Sequence, residues 1–490
     1  MRLSKMIKNA PTTDIRGLSS DSRTVKKGDM YFCMPGISFD GHDFIDQAIE
    51  NGAVCIVHSN DLDSNTIKDG VIYIKVQDVV EALNQCARIF YGKPADKMTM
   101  YGITGTNGKS TIANIIKHIR DQYESCGYIG TISIEYGNTK LLPNLTTPDV
   151  LFLHETLADM VAAGTKSCAL EVSSHGLAQR RVDSIRFDAA IFTNFTYDHL
   201  DFHGTMESYY EAKTILFKKL VKEDGVSILN ADEEKFDDLK DSSIAKVVSY
   251  GIENECDYRA TNLVLSSNQS KFDLVVGQEI YPVTTNLVAT YNVYNLLAAI
   301  AALHQTGMDL PTIIKAAANL PQIEGRMEQI DCGQPFHVIV DFAHTPDGME
   351  KIMEFGRQIA GEQHKVISVF GSAGKRDIDK RKVFGELATK YCDFIILTED
   401  DPRDESAYAI AEQIREGIKD TSNLFIDDRQ EAIRQAIESA NDGDVVLILG
   451  KGDEPFMYRE NGRSPYLGDN VIVKECIDSL YNHSNNEENQ

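Results

Sequence analysis

The chain predicts an α/β protein of about three domains built on mainly parallel sheets. Three observations carry that expectation. Its 490 residues, at roughly 150 per domain, allow three. From Met98 onward short apolar runs alternate with amphipathic helical periods, the pattern of strand–helix–strand units. Several polar clusters follow an apolar run directly, and open parallel sheets gather ligands at the carboxyl ends of their strands.

The elements follow in order. A first domain is expected over residues 1–96, with apolar runs at 30–34, 53–57 and 71–76, ending at the hinge Gly92-Lys93-Pro94. A central domain over 97–330 holds runs at 167–172 and 187–193. Ile112, Ile115, Ile116 and Ile119 fall at i, i+3, i+4 and i+7 of a helix. A third domain over 331–490 follows Glu324-Gly325-Arg326, with runs at 338–342, 366–371, 394–398 and 445–450. The tail 484–490 is polar and expected to fray. No internal repeat is present.

Composition excludes several function classes. With 42% apolar and 25% charged residues the chain is ordinary globular material. No apolar run reaches the roughly 18 residues of a membrane span, and the amino terminus lacks the apolar stretch of a secretory signal. The net charge of −25 argues against nucleic acid and against an anionic membrane surface. A local pocket can still take a small anion. Nine scattered cysteines without a CxxC pair read as reduced thiols of a cytoplasmic protein.

The run Gly102-Ile103-Thr104-Gly105-Thr106-Asn107-Gly108-Lys109-Ser110-Thr111 follows a strand and opens a helix. Glycines let backbone N–H groups turn toward an anion, and the helix N-terminus adds a positive dipole end. Lys109 would reach terminal phosphates and Ser110 would offer a hydroxyl to Mg²⁺. The strict phosphate loop wants glycine where Ile103 stands, so this is a variant. A plain glycine-rich helix cap is the competing reading.

Residues 206–220 read as one helix whose apolar side carries Tyr209, Leu216, Phe217 and Leu220, with Lys213 on the same side. Either Lys213 snorkels to water, or its charge is removed, for instance by carbamylation to a metal-binding carboxylate. Upstream, His199 and His203 stand at i, i+4. A zinc hydrolase would need Glu directly after the first histidine, and Leu200 occupies that place.

With these segments and Glu171-Val172-Ser173-Ser174-His175-Gly176-Leu177, the chain resembles the Mur ligases over essentially its whole length. More narrowly it resembles their UDP-N-acetylmuramoyl-tripeptide synthetase branch, which adds the third residue of the peptidoglycan stem peptide. Further matches are Thr146-Thr147-Pro148-Asp149, Asn292 with Asn295, Gly325-Arg326, Asp341-Phe342-Ala343-His344-Thr345-Pro346 and Gly450-Lys451-Gly452-Asp453-Glu454. The resemblance implies an N-terminal uridine-nucleotide domain, a central ATPase domain and a C-terminal Rossmann-like domain. It implies ATP and Mg²⁺ as cofactors, small-molecule substrates as partners, and a monomer. The implied reaction phosphorylates the D-Glu carboxylate of UDP-MurNAc-L-Ala-D-Glu, and an amino group then attacks the acyl phosphate.

Roles carried over by resemblance are these. Gly105, Thr106, Asn107, Gly108, Lys109, Ser110 and Thr111 would cradle the phosphates. Ser110 and Glu171 would hold one Mg²⁺, and His199 with carbamylated Lys213 a second or the γ-phosphate. Asn292 and Asn295 would face the adenine side, with Arg326 and Asp341 approaching from the closing domain. Ser20 and Ser22 match uridine contacts, and residues 36–39 align with a uridine loop. Thr146, Thr147, Ser173, Gln179 and Arg181 match muramoyl-dipeptide contacts. The family often has Asn directly before the paired threonines; here Leu145 stands there, with Asn144 one place earlier. Folylpolyglutamate synthetase shares the ATPase logic, but Ser20-Asp21-Ser22-Arg23 and the Glu171 motif disfavour it. Lys109, Glu171, His199 and Lys213 together disfavour a non-catalytic nucleotide-binding regulator.

The third residue is set in the family by the motif at Asp400-Asp401-Pro402-Arg403, with Arg376 and the Gly450 to Glu454 loop. Enzymes that take meso-diaminopimelate typically read Asp-Asn-Pro-Arg. A carboxylate at Asp401 would repel a distal carboxylate and attract the ε-ammonium of lysine. Arg403 pulls the other way, unless Asp401 neutralises it. Alternatively Asp401 caps the turn at Pro402 and faces away. Asp453 where His is usual, and Asn461-Gly462-Arg463-Ser464 beyond it, loosen the diaminopimelate signature further. L-lysine is therefore the expectation, with meso-diaminopimelate as the alternative.

Overall fold

The computed structural model describes residues 1–36 and 39–482, and the side chains of Tyr481 and Asn482 are not described. Three main sheets and a two-stranded hairpin carry the described chain, in agreement with the α/β reading. The first is four-stranded and parallel, ordered Leu18–Ser19, Met30–Phe32, Cys55–His58, Ile72–Lys75. Its apolar face, with Met30, Phe32, Cys55 and Val57, packs on Leu83, Cys86 and Ala87 of the helix Val79–Phe90. Asp78 caps that helix by accepting from the Glu81 amide, a bond that satisfies one of the free N–H groups of the first turn.

The central sheet has eleven strands. Its parallel middle contains Val221–Asn230, Phe187–Phe192, Thr99–Thr104, Ser167–Glu171 and Cys126–Ile129 as successive neighbours. Beyond Val221–Asn230, Lys246–Gly251 and Tyr258–Leu265 continue the parallel run, and antiparallel strands extend both edges: Ile134–Tyr136 and Thr139–Leu141 on one side, and Ser270–Val276 and Glu279–Thr285 on the other. The helices Lys109–Asp121 and Thr290–Gln305 share one core with the sheet. The second is buried almost all round, as its Ala/Leu/Ile run demands.

The third sheet has six strands, ordered Glu328–Gln329, His337–Asp341, Val445–Leu449, Val366–Phe370, Phe394–Leu397, Ser422–Phe425. All its pairings are parallel except the first. A separate apolar cluster covers each face. Because Val445–Leu449 inserts between the two earlier strands, the chain order reverses beside Asp341, Gly371 and Gly450, and such a switch opens a crevice at the strand ends.

The helix expected over 206–220 divides into an α-helix, Met206–Ile215, and a π turn, Leu216–Leu220. Of the uridine-loop segment 36–39, Ile37 and Ser38 lie outside the described residues, as does the tail from 483. No described helix is long and apolar enough to cross a membrane.

Candidate functional site

A cleft of about 740 Å³ runs between the central and C-terminal sheets. At its floor, Gly105 has φ 146° and Gly108 φ 88°. A Cβ on Gly105 would lie 1.8 Å from Thr193 Oγ1, and one on Gly108 would lie 2.4 Å from Asn295 Oδ1. Only glycine fits these places, so the loop turns tightly into the helix Lys109–Asp121. Lys109 folds back over the loop, its Nζ donating to Gly105 O at 3.0 Å and Thr106 O at 2.8 Å. Burial lowers its pKa, partly opposed by Glu171 and Asp198.

Lys213 does not snorkel. It is 1% exposed, its Nζ donates to Gly105 O at 2.7 Å and lies 4.3 Å over the Tyr209 ring. Burial, then Lys109, push its pKa well below the usual amine range. His199 stands beside Asp198, Nε2 to Oδ2 3.2 Å, and burial lowers it to about 3, so its ring is a neutral donor or ligand. His203 turns elsewhere, to Ser174 Oγ at 3.0 Å. Among the described residues no three His, Cys, Asp or Glu side chains are arranged to hold a metal.

Glu171 is wholly buried. Its Oε1 accepts from Tyr128 OH at 2.6 Å and Thr131 N at 3.0 Å, and its Oε2 from Thr131 Oγ1 at 3.2 Å. A Cβ on Gly130 would meet Oε1 at 2.1 Å, so a glycine makes room for the carboxylate. Ser110 and Glu171 both line the cleft; hydroxyl and carboxylate oxygens are the hard donors Mg²⁺ prefers, so the donor set fits that ion.

Other expected residues separate into groups. Thr111, Asn292, Asn295, Arg326 and Asp341 line the cleft. Asn295 Nδ2 donates to Asn292 Oδ1 at 3.0 Å, and Arg326 stacks 4.2 Å over Phe342. Both Asp341 oxygens serve the backbone, accepting from Met327 N at 2.6 Å and Ala343 N at 2.7 Å. Thr146, Ser173 and Arg181 line the cleft, whereas Thr147 and Gln179 do not. Thr147 Oγ1 donates to Glu171 O at 2.8 Å and accepts from Ser173 N at 2.9 Å. Arg181 reaches Thr147 O at 2.8 Å. Ser20 is exposed at the bend just after the first strand, and buried Ser22 donates to Gln47 at 2.6 Å; neither lines this cleft.

At the opposite end, Asp401 and Arg403 both take left-handed backbone, φ 44° and 55°. Asp401 does not neutralise Arg403. Its Oδ1 accepts from Lys451 Nζ at 2.9 Å and from Tyr458 N at 2.9 Å, so it caps the hairpin following Pro455 instead of the turn at Pro402. Lys451 also pairs with Glu454, whose carboxyl burial pushes up to about 7 against the pull of Lys451. The Arg403 guanidinium donates to Gly374 O and lies 5.6 Å over Tyr458. A Cβ on Gly450 would strike Asp400 Oδ2 at 2.2 Å. Arg376 pairs with Asp201 at 2.8 Å.

Sequence reasoning missed the residues that shape this end. Arg429 and Asp469 are both fully buried and joined by two bonds of 2.8 Å. Arg429 also donates to Leu449 O at 2.8 Å, while Asp469 accepts from Gly452 N at 3.1 Å. No local signal marks them, because the two are far apart in sequence and neither touches the cleft.

Three α/β sheets around a phosphate-type loop define a three-domain nucleotide-binding class. Residues 14–91 match "Mur ligase family, catalytic domain", 103–303 the Mur ligase middle domain, and 325–452 "Mur ligase, glutamate ligase domain". A Halalkalibacterium halodurans protein named UDP-N-acetylmuramoyl-L-alanyl-D-glutamate–2,6-diaminopimelate ligase is 39% identical, covering 95% of this chain and 94% of its own. A Bacillus cereus protein of the same name is also 39% identical, covering 96% and 95%. A solved structure of a ligase with that name superposes with TM-score 0.70 at 30% identity over 98% of this chain and 99% of its own. The fold alone is shared with MurF from Thermotoga maritima, TM-score 0.64 at 18% identity over 96% and 98% of the two chains. The chain belongs to the Mur ligase family.

Proposed function

We propose that this chain is an ATP-dependent amide ligase acting in the cytoplasm, joining a diamino acid to the D-glutamate carboxylate of UDP-N-acetylmuramoyl-L-alanyl-D-glutamate. The observation that carries this reading is one continuous cleft. Lys109 and Lys213 line its floor, Thr146, Ser173 and Arg181 one wall, and Arg403 and Glu454 its far end. The names of the 39% identical relatives support it.

In this reading the loop amides and Lys109 neutralise the phosphates, a stabilisation worth most in a site shielded from water. Ser110 and Glu171 would hold Mg²⁺, which supplies charge neutralisation at the transferring group. Carbamylated Lys213 and His199 lie beside Lys109 and position the γ-phosphoryl group. The D-glutamate carboxylate takes that group, and the attacking amine displaces phosphate to leave an amide. Closure of the C-terminal domain keeps water from the acyl phosphate. Ser20 and Ser22 serve the uridine end in the N-terminal domain, just after its first strand.

For the third residue the expectation of L-lysine rested on an uncompensated Asp401. Lys451 compensates it, and Arg403 keeps a guanidinium in the cleft with no carboxylate partner among the described ion pairs. A distal carboxylate on Arg403 suits meso-diaminopimelate. Phosphate release with ATP and the dipeptide nucleotide, measured across a panel of amino acids, tests both levels. Release without any amino acid overturns the ligase reading. A kcat/KM at least tenfold higher for meso-diaminopimelate than for L-lysine is expected, a gap of about 1.4 kcal/mol; the reverse preference restores Asp401 as the deciding charge.

A further inference from the structure

One short turn, residues 179–184, faces two ways. On the cleft side Arg181 lines the wall, its Nη1 donating to Thr147 O at 2.8 Å and its Nη2 to Gln179. On the other side the turn meets the helix Val79–Phe90 of the N-terminal domain. There Arg180 donates through Nε to Asp183 Oδ2 at 2.6 Å and through Nη1 to Asp78 Oδ2. Its carbonyl accepts from Asn84 Nδ2 at 3.0 Å, and Ser184 Oγ donates to Asn84 Oδ1 at 3.2 Å. Arg180 takes left-handed backbone, φ 59°, and does not line the cleft that its neighbour enters.

We infer that Arg180 is a positioning residue which, through Asp78, fixes the N-terminal domain at the angle that lets one dipeptide nucleotide engage two domains at once. In the ligase reading that substrate is long, with its uridine end on the N-terminal domain and its D-glutamate near Arg181 in the cleft. A ligand attached at two places gains from the second attachment only when the spacing between them suits it. Val150, from the central-domain helix Val150–Ala162, is buried in the apolar cluster of the first sheet, so apolar contact supplies the cohesion and the polar ties set the angle. The two Asp78 oxygens divide the work: Oδ1 caps its helix through the Glu81 amide, and Oδ2 takes Arg180. Arg180 thus touches no substrate, and it acts on the one substrate that spans these two domains.

This inference rests on the ligase reading, so wild-type amide formation is established first; its absence would fail that reading, whereas the comparisons that follow bear on the inference alone. The test compares kcat/KM for UDP-N-acetylmuramoyl-L-alanyl-D-glutamate with kcat/KM for its 1-phospho-N-acetylmuramoyl dipeptide fragment, which lacks the uridine half. Their ratio is the advantage conferred by the uridine end. In Arg180→Asn, where asparagine tolerates the left-handed backbone, that ratio is expected to fall at least threefold. The KM for ATP and kcat/KM for the fragment should stay within twofold. Asp78→Asn keeps the helix cap but loses the charge; it should show the same pattern, which secures the test should Arg180→Asn fold poorly. The double variant should be no worse than the poorer single one, and Arg180→Lys should recover part of the ratio. A smaller fall in the ratio overturns the assignment. Equal losses for substrate and fragment would show that Arg180 only shapes Arg181, and overturn it too. So would a double variant in which the two losses multiply, or a Lys variant no better than Asn.

Discussion

Asn107 Nδ2 donates to Asp347 Oδ2 at 2.9 Å, joining the phosphate loop to the first turn of the helix Pro346–Ala360 in the C-terminal domain. Asp347 is also held by Lys351 at 2.8 Å. The contact ties the loop's shape to the position of the neighbouring domain. Asn107→Ala and Asp347→Ala should each lower kcat/KM for ATP about tenfold. The double variant should be little worse than the poorer single one, because partners in one contact do not add. A double-mutant cycle on initial rates checks this; simple multiplication of the two losses would mean that the residues act independently.

Lys109→Ala should abolish most ligation even at saturating ATP. The variant removes a point charge held by two loop carbonyls, and loss of one such preorganised group costs about a hundredfold or more in turnover. Steady-state phosphate release over a wide ATP range provides the measurement. Near-normal turnover would remove Lys109 from the chemistry.

Lys213 should carry a carbamate. Its amine is buried against Gly105 O and the Tyr209 ring and forms no ion pair among the described residues, the pull of Asp198 being smaller than the effect of burial, a poor place for a permanent ammonium. A carbamate resonance should appear in ¹³C spectra of enzyme equilibrated with ¹³C-bicarbonate and vanish in Lys213→Ala. That variant should be nearly inactive and partly rescued by a short-chain carboxylate.

Acid should weaken the fold through His154. Its Nε2 lies 2.8 Å from Ser184 Oγ, which in turn donates to Asn84 Oδ1 at 3.2 Å, bridging the central domain to the helix Val79–Phe90. Burial, with Arg88 nearby, lowers His154 from 6.5 to about 4. The folded form therefore stays neutral where the unfolded chain takes up a proton. Its contribution is complete above pH 6.5 and is lost as pH falls toward 4, on the order of 2 kcal/mol by pH 5. Denaturant midpoints from pH 7.5 to 5 should fall in the wild type and fall less in His154→Gln. Equal slopes would assign the acid loss to other groups.

The apolar runs at 167–172, 187–193, 366–371 and 445–450 were legible as strands because both faces of a parallel sheet are covered, so nearly every residue in them is apolar. The loop ending in Lys109 was legible because its glycines serve a local backbone need. The meander from Tyr258 to Thr285 was not, since its strands sit at an edge and alternate buried with more exposed positions, which breaks up the continuous apolar run that marks the covered strands. Nor was the state of Asp401. Its partner Lys451 lies fifty residues away, and a charge looks unpaired in sequence until the fold brings its counterion. The break of the 206–220 helix into a π turn left no mark either, because apolar spacing fits both forms.

The fully buried Arg429–Asp469 pair has a consequence for anyone wishing to redesign amino-acid choice. Arg429 fixes the Leu449 carbonyl and Asp469 the Gly452 amide, so the course of the Gly450 to Glu454 segment is dictated from behind by two side chains outside it. Grafting that segment into another scaffold would carry its letters without its curvature unless Arg429 and Asp469 travelled with it.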